Sequence, residues 1–60
     1  MFENVVPLHR DRFLLTYDAR DVDQFAEVCC VIARWIAERG YVDQIEKLGI
    51  DVYRVHLKLK

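Results

Sequence analysis

Serine is missing from this chain, threonine occurs once, at Thr16, and there are only one proline and two glycines. Without serine there is no serine nucleophile elbow, and the two glycines stand too far apart to form a Gly-rich phosphate loop. No His-Glu zinc motif is present either. Two histidines, His9 and His56, and ten acidic residues remain, yet no spacing sets a base beside a nucleophile. No enzymatic activity and no cofactor are therefore expected, and a site shared across a dimer interface is the sole route by which an enzyme could arise.

Long apolar runs are lacking too. None approaches the roughly 20 residues of a membrane span, and the opening MFENVV has neither the basic nor the apolar region of a secretory leader. The expectation is a cytoplasmic protein with reduced cysteines and no membrane partner. Charge of one sign is also lacking. Nine basic residues against ten acidic give a formal net charge of -1, which supplies no global attraction to nucleic acid or to an anionic membrane.

What is present is a chain that folds. Hydrophobic residues make up 53% of its 60 positions, with few turn formers among them. A single domain spanning residues 1–60 is expected. A chain of this size buries only about 60% of its unfolded surface, so a disulfide, a metal or a partner chain is expected to assist it.

Phe2 to Val6 is a short apolar run that Pro7 ends or confines to a sheet edge. RFLLTY, residues 12–17, reads as a strand with Phe13, Leu15 and Tyr17 on one face. A helix over about residues 20–39 follows. Asp18 or Asp21 is its N-cap, the latter forming a capping box with Gln24, and Tyr17 meets Val22 as a hydrophobic staple. Asp18, Asp21 and Asp23 are read as helix-start residues rather than a metal cluster. Gly40 suits a left-handed stop. YVDQIEKLG has Val42, Ile45 and Leu48 at three-residue spacing, which predicts a short second helix. IDVYRVHLKLK predicts a strand with Tyr53, Val55, Leu57 and Leu59 on one face, and a bulge or a segment buried on both faces near Tyr53.

Cys29 and Cys30 stand side by side in the long helix. Adjacent helical side chains diverge by about 100°, so both cannot bind one metal ion without unwinding it, and neither a Cys-x-x-Cys motif nor a helix N-terminus activates them. Both are expected to be small buried hydrophobes. A metal or redox module drawing on these cysteines and a histidine is the third functional reading.

Two apolar stripes run along this helix. Val22, Phe25, Cys29, Ile32 and Ile36, with Ala26 and Ala33 beside them, are expected to pack on the sheet. Val28, Val31 and Trp35 form a second stripe, expected to contact another chain or the Val42–Leu48 segment, with a homodimer as one outcome. Arg54, His56, Lys58 and Lys60, with Arg10 and Arg12 nearby, form a basic ribbon able to meet phosphates, or else a solvated edge-strand face.

The expected fold is α+β: a small, mainly antiparallel sheet of two or three strands packed on one long helix, with a short second helix before the C-terminal strand. Strand order is open. The function expected is that of a small interaction protein, a regulator, adaptor or inhibitor of the phage or mobile-element type, binding a protein surface through Val28, Val31 and Trp35. The alternative is a dimeric nucleic-acid-binding regulator that uses the basic ribbon.

Overall fold

The computed structural model describes residues 5–60, so Phe2 of the first apolar run lies outside the described residues. The elements are β1 (Val5–Pro7), β2 (Arg12–Asp18), α1 (Val22–Glu38), β3 (Gly40–Lys47) and β4 (Val52–Leu59). Together the strands make one four-stranded sheet in the order β1-β2-β4-β3, every neighbouring pair antiparallel. β2 and β3 therefore run parallel to one another, joined through α1, with β4 inserted between them.

Alternation sets the two faces of the sheet. Leu15 opposes Val55 and Phe13 opposes Leu57. Leu15, Val55 and Leu57 are buried with Val28, Val31 and Trp35 of α1, and Val5, Phe13, Tyr17, Ile32, Val42 and Leu59 pack around them. Trp35 sits at the centre, 1% exposed. Its ring meets Phe13 edge-on at 5.1 Å, and its indole Nε1–H donates to the Lys58 carbonyl at 3.2 Å.

The helix start follows its acidic signals. Asp21 is the N-cap and accepts from the Gln24 N–H at 3.1 Å. Gln24 reaches back past the cap to accept from the Asp18 N–H at 2.7 Å. The staple differs from expectation: Tyr17 meets Phe25 at 6.1 Å between ring centroids, while Val22 is 77% exposed. Asp18 instead holds Arg20, whose guanidinium lowers the carboxyl's pKa. A carboxyl whose pKa falls on folding stabilises above its unfolded pKa, so this small contribution is lost as pH drops through the lowered value.

Four further expectations are corrected. The sheet has four strands rather than two or three. The segment Val42 to Leu48 is no helix; its first part is β3. A bulge between Val42 and Gln44 inserts Asp43, so Val42 and Ile45 share a sheet face three positions apart and mimic helical spacing. The bulge expected near Tyr53 thus lies in the neighbouring strand, where β4 itself pairs continuously with β2. Finally, no glycine has positive φ. Gly40 is buried at the start of β3 because a side chain there would run into the Lys58 carbonyl.

Candidate protein-docking face

The two apolar stripes of α1 exchange the roles expected of them. Val28, Val31 and Trp35 are 2%, 7% and 1% exposed and face the sheet, so they are core and present no surface to a partner; of the two contacts expected of them, that with the Val42–Leu48 segment is made at Val42. Of the other stripe only Ile32 touches the core; Phe25 is 45% and Ile36 52% exposed, and Val22 and Cys29 are also outside. Ala26, Ala33, Ala37 and Cys30 extend this exposed surface around the helix. The cysteines are consequently exposed free thiols, not the buried hydrophobes expected.

The helix's polar residues explain the exchange. In a surface helix the charged face lies opposite the core. Here Asp23, Glu27, Arg34 and Glu38 lie on one flank, only about 80° around the helix from the Val28–Val31–Trp35 direction at roughly 100° per residue. The side turned furthest from the sheet is left to Val22, Ala26, Ala33 and Ala37, with Cys29 and Cys30 on either side of them. At the N-terminal end this apolar face continues onto the sheet, where Tyr17 stacks on Tyr53 at 5.7 Å and leans on Phe25. Burial pushes the Tyr17 hydroxyl pKa up, aided by Tyr53 and Cys29, so it stays a neutral phenol at physiological pH.

Among the described residues, the opposite face of the sheet carries no helix. Arg12, Leu14, Thr16 and Asp18 of β2 alternate onto it with Arg54, His56 and Lys58 of β4, and Arg12 lies directly opposite Lys58. Lys60 follows the strand, its N–H donating to the Arg39 carbonyl at 3.1 Å. Glu46 of β3 is drawn into this row. Its Oε1 lies 3.0 Å from His56 Nε2 and 3.6 Å from an Arg54 guanidinium nitrogen. Two of the four predicted ribbon residues therefore already face an anion. No family model, curated protein or solved structure matches the chain.

Concave space is scarce on this face. A cavity of about 40 Å³ lies against Leu14, His56 and Lys58, far below the several hundred Å³ of a small-molecule site. The turn between β1 and β2 rims a wider depression at Leu8, His9, Asp11 and Arg12 that is largely open to solvent. Among the described residues no three His, Cys, Asp or Glu side chains come together as a metal site, and no helix is long and apolar enough to cross a membrane.

The exposed face of α1 was legible as a stripe but not as a surface. The missed signal was the flank position of the charges: a helix with a tryptophan on one side of its charged strip and cysteine and alanine on the other packs the larger side chain inward.

Proposed function

We propose that this chain is a non-enzymatic interaction protein, a regulator, adaptor or inhibitor, that docks the outer face of α1 onto another protein surface. One observation carries the reading: α1 remains apolar around the side turned away from its own sheet, with Phe25 45%, Ile36 52% and Val22 77% exposed. A contiguous apolar patch of this kind marks an interaction site. The aromatic trio Tyr17, Phe25 and Tyr53 supplies the rigid contact area that interfaces favour.

Site-specific photocrosslinking tests it. A photoreactive phenylalanine analogue at position 25, expressed in the host that encodes the chain, is expected to form discrete protein adducts. The same group at position 34, on the charged flank, is expected to form few. Equal labelling from both positions, or none from position 25, removes the docking reading.

The nucleic-acid reading keeps one favourable observation, the alignment of Arg12 with Lys58 beside Arg54 and His56 on the uncovered sheet face. Glu46 opposes it. The expected result in a filter-binding assay is no retention of nucleic acid by wild type near physiological salt, with Glu46→Gln retaining it only at low salt. Retention by wild type with a steep salt dependence would reinstate the ribbon.

A further inference from the structure

We infer that the row of Arg12, Lys58 and Tyr41, on the sheet face opposite α1, binds a single dianionic phosphate group, as inorganic phosphate or as a phosphate monoester. This site is separate from the outer face of α1 and does not depend on that face docking a partner.

Register builds the row. Lys58 of β4 lies opposite Arg12 of β2 on one side and opposite Tyr41 of β3 on the other. Directly opposed residues of antiparallel strands share a face, so a guanidinium, an ammonium and a phenol stand side by side on three strands about 4.8 Å apart. The middle position is held firmly. The Lys58 carbonyl accepts from the Trp35 indole, and the lack of a side chain at Gly40 lets β3 press against β4 next to Tyr41.

Charge specifies the ligand. Like charges directly opposite one another across a strand pair are destabilising, and Arg12 and Lys58 are such a pair. Among the described residues neither cation has an ion-pair partner, and the Tyr41 hydroxyl makes no hydrogen bond. Asp43 lines the same small cavity as both cations without pairing with either. Leu8 and Leu14 line it too, so an anion seated there has apolar neighbours on one side and is screened less than on a flat surface.

Two cations call for two negative charges. A phosphate monoester carries about −1.5 to −2 at pH 7, its second pKa being about 6, and its oxygens match the three donors: Arg12 as a fork, Lys58 as a point charge and Tyr41 as a neutral hydroxyl. An internal nucleic-acid phosphate is a monoanionic diester and leaves one cation unmatched, as does a carboxylate. Further along β4 the cations His56 and Arg54 are already engaged by Glu46, so the field does not extend that way as a track for successive phosphates. The geometry therefore selects one terminal phosphate and disfavours a polynucleotide backbone.

Titrations of the whole chain followed by amide NMR test the assignment. At about pH 8, where the second proton is lost, and at low salt, inorganic phosphate and phenyl phosphate are each expected to shift the signals around Arg12, Tyr41 and Lys58. A Kd on the order of 1 mM is expected from a few charge-assisted hydrogen bonds. Tighter binding of phenyl phosphate assigns the site to a monoester on a larger molecule; tighter binding of inorganic phosphate assigns it to the free ion. Dimethyl phosphate and acetate, with one charge each, are expected to bind at least about fivefold more weakly.

The melting midpoint is an independent readout. Phosphate at ten times its Kd shifts the folding equilibrium about elevenfold, which a domain of this size registers as a rise of about 5–10 °C. Arg12→Gln and Lys58→Gln are each expected to melt no lower than wild type in phosphate-free buffer, the cross-strand repulsion being gone, and to lose most of the phosphate response. Tyr41→Phe, which keeps both charges, is expected to weaken binding by about threefold to tenfold. Equal binding of dimethyl phosphate, shifts spread over the surface, no shift at all, or a full phosphate response in both glutamine variants overturns the inference. A glutamine variant that melts well below wild type without phosphate overturns it as well, since that cation would then have a partner within the chain.

Discussion

Trp35→Ala is expected to leave the chain largely unfolded at room temperature. Removing a buried tryptophan costs about 3–5 kcal/mol through lost burial and the cavity left behind, and a single core in a domain of this size rarely supplies more than about 3–5 kcal/mol in total. Neighbours offer little to fill the space. Phe13 already meets the indole edge-on, and Val28, Val31, Leu15, Val55 and Leu57 are the rest of the buried set. Trp35→Phe separates the ring from its polar group: it keeps most of the apolar volume and loses the hydrogen bond to the Lys58 carbonyl, for which about 1 kcal/mol is expected beyond any packing loss. Urea titrations followed by far-ultraviolet circular dichroism measure both, since each variant lacks the chain's one tryptophan as a fluorophore. A cooperative Trp35→Ala transition displaced by less than about 1 kcal/mol would be incompatible with Trp35 at the centre of the core.

Gly40→Ala is expected to rival it from a single methyl group. That methyl would collide with the Lys58 carbonyl oxygen and lie 2.8 Å from both the Lys58 carbonyl carbon and the Leu59 Cα. These are backbone atoms of β4, which is paired on both sides and cannot retreat without breaking its register with β2 or β3. Overpacking of this kind costs typically 1–3 kcal/mol, and an unyielding backbone places it at about the upper end. Gly49→Ala is the matched control. Its methyl would meet only the Val52 Cβ at an ordinary 3.9 Å, and its φ is not positive, so stability should hold or rise by about 0.5 kcal/mol as the unfolded chain loses freedom. Thermal unfolding of the pair should show a large fall in midpoint for position 40 and none for position 49; similar effects at the two sites would contradict the close approach of β3 to β4.

Much of the architecture can be read from residues alone. Alternation in RFLLTY and in YRVHLKL identifies β2, β4 and the faces they present, and Asp21 with Gln24 marks the start of α1. β3 was hidden because its bulge gives Val42 and Ile45 the three-residue spacing of a helix turn, and periodicity cannot distinguish a bulged strand from a helical one. The orientation of α1 was hidden for a different reason. Its charged residues occupy a flank, so the amphipathic rule directs Phe25, Cys29 and Ile36 to the sheet, whereas packing selects the side with Trp35. The ribbon was legible as an alternation, but Glu46 comes beside it only through the pairing of β3 with β4.

The place of β4 between β2 and β3 also bears on how the chain reaches this state. Lys47 meets Tyr53 across one short turn, whereas Asp18 meets Val52 only after the whole of α1 and β3 has been gathered in. Hairpins of the first kind close in about 1–10 μs, while non-local strand pairing slows folding because loop entropy is lost before any contact rewards it. The β3–β4 hairpin and α1 can therefore form early, and docking of β2 along β4 is the slow event. Until it happens, both α1 faces and the bare edge of β4 are open to whatever else is nearby.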